Sequence, residues 1–172
     1  ASYAGVGFGN AGVHLPHGMS YPVSGLVTSY HAPGYHADHA MVPHGMSVIM
    51  NAPAVFRFTA GANPARHLQA AEALGATVAG VHDADAGRVL ADRITWFMQR
   101  LKVPNGLRAV GYTSADIPRL VEGTLPQHRV TKLSPRPASP DDLAALFEDA
   151  LTARRAGPRP LKPFAPGTAF SR

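Results

Sequence analysis

The amino-acid sequence predicts an all-α protein. Apolar residues recur at steps of three and four along the chain, and Asn-Pro and Ser-Pro pairs, of the kind that open helices, precede two such segments. No segment alternates apolar and polar residues as a half-buried strand does. We therefore expect about six or seven helices and no strand–helix–strand unit that could hold a nucleotide.

The first helix is expected over residues 1–13, which are small and apolar. Its alternate glycines from Gly5 to Gly9 invite comparison with a dinucleotide-binding loop, but that loop needs a strand in front of it. We expect instead a tightly packed, buried helix whose glycines let neighbours approach. Its apolar face and that of residues 45–58 are expected to pack against a partner domain or against each other.

Two further helices are expected on either side of a loop. Residues 17–27 continue as a helix after a break at Pro16, and the loop occupies residues 33–43. Residues 45–58 are apolar and predicted to be helical, with a kink or an end at Pro53.

The clearest helix covers residues 83–101. One apolar stripe runs along it, formed by Ala86, Leu90, Ile94, Phe97 and Leu101. Trp96 is expected to pack against the protein rather than to recognise a ligand.

Three more helices are expected to start at polar residues that can accept a hydrogen bond from the first turn. They are residues 63–74 with Asn63 as the cap, 114–125 with Ser114, and 139–154 with Ser139. A proline follows the first and third of these caps, at the position in a helix that proline favours. Gly75 is expected to end the first of the three.

The amino-acid composition limits the classes of protein to which the chain can belong. The chain has 172 residues, 45% of them hydrophobic and none of them cysteine, which suits one packed domain without disulfides or thiolate metal sites. The net charge of +5 lies wholly near the end, because residues 1–153 contain equal numbers of basic and acidic residues. We therefore divide the chain into a helical metal-binding domain, 1–155, and a disordered basic tail rich in Pro and Gly, 156–172. Neither a nucleic-acid partner nor a membrane partner is expected.

Histidines are concentrated in one stretch. Six of the nine lie between His14 and His44, and the pentapeptide Pro-His-Gly-Met-Ser occurs at 16–20 and again at 43–47. Histidine is the commonest metal ligand, so His17 and His44 would meet at one ion if the loop between them folds back. A solvated loop is the alternative, and we favour it for three of the histidines: His31, His36 and His39.

Six separated blocks resemble the iron-containing alcohol dehydrogenases, and most of all their hydroxyacid-oxoacid transhydrogenase branch. In chain order the blocks are GVGFGNAGVHLPHGM (5–19), VPHGMS (42–47), NAPAVF (51–56), AVGY (109–112), GTLPQ (123–127) and LAALF (143–147). The resemblance covers nearly all of the predicted helical domain. It implies the helical C-terminal domain of that fold, without the N-terminal nucleotide-binding α/β domain.

The resemblance also implies a metal site. One Asp and three His bind the ion in this family, and His17 and His44 match the last two histidines, while the other two ligands belong to a segment before residue 1. Tyr21 stands where typical members have a further active-site histidine, which implies a catalytic hydrogen-bond donor. A phenol, with an unperturbed pKa of about 10, is a poor proton carrier near pH 7. His14 is expected to support the site or to pack beside it.

The implied activity is metal-dependent hydride transfer. A divalent ion, Fe(II) or alternatively Zn, would polarise the substrate oxygen, and NAD held by the N-terminal domain would carry hydride from 4-hydroxybutyrate to 2-oxoglutarate. The alternatives are an NAD-dependent alcohol dehydrogenase of the same family and, from another class, a non-catalytic helical metal-binding or interaction domain.

The implied partners are the N-terminal domain and a small hydroxyacid, oxoacid or alcohol. A homodimer is a further alternative. The location would be the cytoplasm of a bacterium or the mitochondrial matrix of a eukaryote. These 172 residues alone are expected to be inactive and to bind no nicotinamide, because part of the ligand set and the nucleotide-binding unit lie elsewhere.

Overall fold

The computed structural model describes residues 2–154. Within them eight α-helices follow one another, joined by loops and four short 3₁₀ turns. The helices are α1 (Ser2–Ala11), α2 (Leu15–Gly25), α3 (His44–Thr59), α4 (Pro64–Ala73), α5 (Ala86–Arg100), α6 (Ile117–Thr124), α7 (His128–Thr131) and α8 (Pro140–Ala150). Over this part of the chain the β-structure is a single isolated bridge between His31 and Met41, so the all-α prediction is confirmed. The predicted tail, 156–172, lies outside the described residues.

Helix α3 is the centre of the bundle. It packs against α2, α5 and α8, while α4 packs on α5, and α6 packs on both α2 and α8. Met50, Ala54 and Val55 on α3 are at most 1% exposed, and they belong to the same apolar core as Phe147 of α8. Residues 45–58 therefore pack mainly in the domain's own core and not against the first helix, contrary to one expectation, while their contact with a partner domain stays a prediction. None of the helices described is long and apolar enough to cross a membrane.

Helix α1 forms as predicted, but it is not buried. None of its described residues is buried, and Tyr3, Val6 and Phe8 expose 95%, 63% and 59% of their surface. A side-chain carbon added at Gly5, Gly7 or Gly9 would have no atom from another part of the described chain within 4 Å. The prediction of a tightly packed helix is therefore wrong for residues 2–154.

Two prolines that were expected to interrupt helices lie inside them. Helix α2 starts at Leu15 and includes Pro16 in its first turn, where the missing N–H has no intrahelical partner to lose. Pro53 lies inside α3, which continues to Thr59. Both prolines are buried, so packing offsets the loss of a backbone donor at Pro53.

Helix α5 packs through a face that is shifted from the predicted stripe. Ala86, Leu90 and Ile94 are buried as expected. Leu101 is 72% exposed because the helix ends one residue earlier, and Met98 takes the buried position in the last turn. The contact with α3 also decides this face, because Gly87 lies against backbone atoms of Arg57 and Phe56.

Trp96 makes packing contacts, as expected. The guanidinium carbons of Arg93 and Arg100 lie 4.2 Å and 5.0 Å from its ring centre, and Phe97 meets it edge to face. Arg93 is buried, and its Nε donates a 2.6 Å hydrogen bond to the carbonyl oxygen of Leu74. This bond ties α5 to the end of α4.

Two of the three predicted helix caps are confirmed. Oδ1 of Asn63 and Oγ of Ser139 each accept a 3.1 Å hydrogen bond from a backbone N–H in the first turn of the helix that follows. Gly75, with φ of 83°, adopts the left-handed conformation just after α4. Helix α8 ends at Ala150, four residues short of the predicted end.

The cap position before α6 is Thr113, one residue earlier than predicted, and here the carboxylate three residues later accepts the hydrogen bonds. The backbone N–H and the hydroxyl of Thr113 donate to the carboxylate of Asp116 at 2.8 Å and 2.9 Å. Ser114, the expected cap, is the first residue of the 3₁₀ turn that leads into α6. Both residue types cap helices well, so propensity could not distinguish these neighbours.

Candidate metal centre

The two copies of Pro-His-Gly-Met-Ser form the same local structure at the starts of two helices. His17 lies in the first turn of α2, and His44 is the first residue of α3. In each copy the serine hydroxyl donates to the carbonyl oxygen of the histidine three residues earlier, at 2.7 Å for Ser20 and 2.8 Å for Ser47. Both serines are fully buried, so each motif turns its serine inward.

The glycines of the two copies differ in their surroundings. A side-chain carbon on Gly18 would lie 2.7 Å from Cγ2 of Thr131, so at this point α2 lies against the short helix α7. The corresponding space at Gly45 holds no atom of the described chain within 4 Å. The environment of His17 is therefore built by this domain, whereas the start of α3 opens outward.

The packing of α2 on α3 brings the two predicted ligands together. The ring centres of His17 and His44 are 5.4 Å apart, and the ring planes meet at 61°. An ion bonded to two imidazole nitrogens at about 2.1 Å each, with tetrahedral angles, holds the ring centres about 5 Å apart. The separation of this pair therefore fits two imidazoles that share one ion.

The electrostatics of the pair favour the metal-binding form of His17. Burial, and secondarily the neighbouring His44, hold the pKa of the His17 imidazole below its ordinary value. A neutral imidazole carries the lone pair that a metal ion needs, whereas a protonated ring repels the ion. His44 is exposed to solvent, so an ion could reach the pair from outside.

Tyr21 lies beside the pair. It follows His17 by about one turn of α2, and its ring stacks on that of His44 with the ring centres 5.9 Å apart and the planes inclined by 27°. The side chain is 36% exposed. His17, His44 and Tyr21 therefore form one surface group, and we call it the His–His–Tyr group.

Tyr21, but neither His17 nor His44, also lines a groove. It has a volume of about 560 Å³ and runs between α2 and α6. Its lining includes Tyr21, with Arg119, Glu122 and Gln127 on the side of α6 and α7. A small polar molecule could enter it next to Tyr21.

His14 lies on the inner side of the pair. Its ring meets Phe56 edge to face, with the ring centres 6.2 Å apart, and its Nδ1 atom is buried with no hydrogen-bond partner in the described chain. Burial, followed by His17 and then His67, lowers its pKa. His67 is bound on both ring nitrogens, Nε2 by the hydroxyl of Thr59 and Nδ1 by a backbone carbonyl oxygen.

The remaining histidines of the cluster do not join the site. His31, His36 and His39 are exposed on the loop between α2 and α3. His39 contacts the carboxylate of Asp38, its neighbour in the chain, at 2.8 Å. No group of three or more metal-ligating side chains is found within residues 2–154, so the described chain offers a pair of ligands rather than a complete set.

Sequence reasoning missed the serines of the repeated pentapeptide. The signal was present, since a serine in the first helical turn can donate to the carbonyl three residues before it. What could not be read from the repeat is that Oγ of Ser20 also lies 3.4 Å from Nδ1 of His44.

The described chain is an all-α domain that presents two neighbouring imidazoles and a phenol on one face. The profile described as "Fe-containing alcohol dehydrogenase family, C-terminal" matches residues 1–151. The chain therefore belongs to the iron-containing alcohol dehydrogenase family, and the family resemblance read from the sequence blocks is confirmed.

Curated relatives point to one branch of this family. The proteins named hydroxyacid-oxoacid transhydrogenase, mitochondrial, from Pongo abelii and Homo sapiens are each 60% identical to this chain over 151 residues. These matches cover 88% of this chain and 32% of each relative. A Dictyostelium discoideum protein, named probable hydroxyacid-oxoacid transhydrogenase, mitochondrial, is 54% identical over 153 residues, which is 28% of its length. The chain thus spans less than a third of the length of these relatives.

Solved structures agree on the fold. The structure of 1,3-propanediol oxidoreductase aligns with a TM-score of 0.65 and 27% identity, and the match covers 78% of this chain and 32% of that one. Alcohol dehydrogenase from Oenococcus oeni aligns with a TM-score of 0.73 over 86% of this chain and 35% of that one. At 21% identity, the second likeness bears on the fold alone.

Proposed function

We propose that this chain is the helical, metal-binding part of an oxidoreductase of the hydroxyacid-oxoacid transhydrogenase type. The complete enzyme would take hydride from 4-hydroxybutyrate, pass it through a bound nicotinamide and deliver it to 2-oxoglutarate. The products would be succinate semialdehyde and 2-hydroxyglutarate. The relatives at 60% identity carry the transhydrogenase name, which supports this branch of the family.

The observation that carries the proposal is the 5.4 Å separation of the His17 and His44 rings, with Tyr21 stacked on His44. Two imidazoles at this distance suit a shared divalent ion, Fe(II) or Zn, and leave coordination positions for further ligands. We assign those further ligands, an Asp and a third His, to the part of the full-length protein that this chain does not span. The nicotinamide site is assigned to the N-terminal domain in the same way.

When bound, the ion would supply Lewis-acid polarisation of the substrate oxygen. The residues of this chain would bind and orient. His17 and His44 would donate their lone pairs in the neutral form, which burial already favours at His17. The hydroxyl of Tyr21 would donate a hydrogen bond to the substrate, and the groove that Tyr21 lines would hold the rest of a small acid.

The proposal is tested with the full-length protein. Purified enzyme is incubated with 4-hydroxybutyrate and 2-oxoglutarate without added NAD, and both products are measured. We expect turnover that depends on the oxoacid, because the hydride must leave the bound nicotinamide before a second cycle can begin.

The same assay separates the alternatives. Turnover that needs added NAD and ignores the oxoacid would replace the proposal with an ordinary alcohol dehydrogenase of this family. If neither acceptor supports turnover while the protein is folded and metal-loaded, the proposed activity is wrong, and a non-catalytic metal-binding or interaction domain takes its place.

A further inference from the structure

We propose that Ser20 is a positioning residue that sets the tautomer and the orientation of the His44 imidazole, so that Nε2 of His44 carries the lone pair for the ion. The inference rests on the proposed metal site at His17 and His44 and deepens it. Its basis is the set of donors and acceptors around one buried hydroxyl group.

The hydroxyl of Ser20 lies between the two histidines. Its Oγ is 2.7 Å from the carbonyl oxygen of His17 and 3.4 Å from Nδ1 of His44. A carbonyl oxygen can only accept, so the single hydroxyl proton of Ser20 goes to His17. The lone pairs of Oγ then face His44, and they favour the tautomer in which Nδ1 carries the proton. In a neutral imidazole that is protonated at Nδ1, Nε2 is the free nitrogen.

The contact from Ser20 distinguishes the two nitrogens of the His44 ring. Among residues 2–154 the ring makes no other hydrogen bond, and its neighbours His17 and Tyr21 contact it as aromatic rings. A separation of 3.4 Å is long for a hydrogen bond, so in the metal-free chain the contact contributes direction more than strength. A partner on the second nitrogen of a ligating histidine holds the tautomer and the ring orientation, and raises the basicity of the ligand.

Ser20 also connects the two ligands, because its Oγ contacts both of them. Ser20 is fully buried in α2. The ring that it faces belongs to His44, which begins α3 24 positions later in the chain. Because the same oxygen atom contacts the backbone of one ligand and the ring of the other, a change there alters the relative placement of both imidazoles.

The second copy of the pentapeptide supplies a matched control. Ser47 is fully buried as well, and its Oγ donates to the carbonyl oxygen of His44 at 2.8 Å. The other contact of this oxygen is with Oγ of Ser24, at 2.9 Å, instead of with a ring nitrogen. Ser47→Ala therefore removes the same atoms and the same kind of backbone bond as Ser20→Ala, but no group that touches an imidazole nitrogen.

The experiment uses the full-length protein with ¹⁵N-labelled histidine and two readouts. The first is the nitrogen NMR spectrum of the metal-free protein, in which the His44 signals are assigned from their loss in His44→Ala. We expect one dominant tautomer, protonated at Nδ1, in the wild type and in Ser47→Ala, and a mixture in Ser20→Ala. The second is Co²⁺ affinity, measured against a competing chelator.

For Co²⁺ affinity we expect Ser20→Ala to lose about 10- to 100-fold, as is typical when a partner of a ligating histidine is removed. Ser47→Ala should stay close to the wild type, and Ser20→Thr, which keeps a hydroxyl, should restore most of the affinity. If Ser20→Ala does not fold, Ser20→Cys takes its place for the tautomer measurement alone, because a thiol is only a weak acceptor and should give the same mixed tautomers, but it would itself bind Co²⁺.

The outcomes separate this inference from the function it rests on. If His17→Ala or His44→Ala leaves Co²⁺ binding unchanged, the metal site itself is wrong. If both are required but Ser20→Ala keeps the wild-type tautomer and affinity, Ser20 has no positioning role while the metal site stands. Equal losses in Ser20→Ala and Ser47→Ala would mean a general packing effect and would also overturn the inference.

Discussion

Arg57 on α3 forms an ion pair with Asp149 on α8 through one carboxylate oxygen. Nε and one terminal nitrogen of Arg57 donate to Oδ2 of Asp149 at 3.0 Å and 2.7 Å. The two side chains are 30% and 20% exposed, so water screens the pair only in part. The bond joins the central helix to the last helix of the bundle, 92 positions apart in the chain.

We predict that Arg57→Met lowers the free energy of unfolding by about 1–3 kcal/mol, because charge-assisted hydrogen bonds are lost and a partly buried carboxylate loses a partner. Urea unfolding of the 172-residue chain, followed by circular dichroism, measures the change. Arg66→Met is the control, since Arg66 is exposed and bonds the nearby Gln69 on the same helix. Equal effects of the two substitutions would contradict the assignment.

Gly87 permits the close approach of α5 to α3. A side-chain carbon there would lie 2.9 Å from Cα of Arg57 and 2.9 Å from the carbonyl oxygen of Phe56, both of them backbone atoms. We predict that Gly87→Ala destabilises the domain by about 1–3 kcal/mol, because the two helices must move apart.

The same unfolding measurement on Gly7→Ala is the matched control. Gly7 also lies inside a helix, but no atom of the described chain is within 4 Å of the added carbon. Alanine favours helix by about 1 kcal/mol over glycine, so this change should be neutral or stabilising. A stable Gly87→Ala protein would mean that the interface between α3 and α5 is looser than the geometry indicates.

Metal content tests the ligand assignment directly. In the full-length protein, His17→Ala and His44→Ala should each lose most of the bound metal, because each removes one of a small set of ligands. His31→Ala should retain the metal, since the His31 side chain is exposed on the loop and its Nδ1 contacts the backbone carbonyl oxygen of Ser29. Metal is counted by elemental analysis after dialysis. Full occupancy in either of the first two variants would refute the pair as ligands.

Tyr21→Phe isolates the hydroxyl of the third member of the His–His–Tyr group. The ring and its stacking on His44 are kept, so metal content should not change. We expect kcat/KM for 4-hydroxybutyrate in the full-length enzyme to fall by about 10- to 100-fold, which corresponds to the loss of one hydrogen bond of about 1.5–3 kcal/mol to a charged or strongly polarised oxygen. Unchanged kinetics would remove Tyr21 from the catalytic group.

The exposed face of α1 predicts a difference between this chain and the full-length protein. Because Tyr3, Val6 and Phe8 are exposed, the 172-residue chain should bind a hydrophobic fluorescent dye. Replacing Val6 and Phe8 by Gln should reduce the signal, and the full-length protein should bind less dye per molecule. Absence of dye binding by a monomeric chain at high concentration would show that this face is covered in another way.

Local signals in the sequence were sufficient to locate most helices. Asn63 and Ser139 cap their helices as expected, because a cap bonds the backbone within the next few residues and needs no distant partner. The left-handed turn at Gly75 follows from the same local rule. The structure of the repeated pentapeptide is local as well, since each serine donates a hydrogen bond to the carbonyl oxygen three residues earlier.

The faces of the helices and the geometry of the site were decided by tertiary packing. Periodicity marked the apolar residues of α5, but the contact with α3 and the end of the helix at Arg100 put Met98 inside and Leu101 outside. Helix α1 is as apolar as a core helix, but none of its residues is buried in the described chain. Burial is a property of neighbours, which a single segment does not contain.

The sequence by itself determined an all-α domain of the iron-containing alcohol dehydrogenase family and selected His17, His44 and Tyr21 as the residues to examine. Only the tertiary structure brought His17 and His44 to 5.4 Å and put the oxygen of Ser20 between them. The physical reason is that helical spacing fixes neighbours one turn apart, such as His17 and Tyr21, whereas the distance across a long loop depends on how α2 packs against α3.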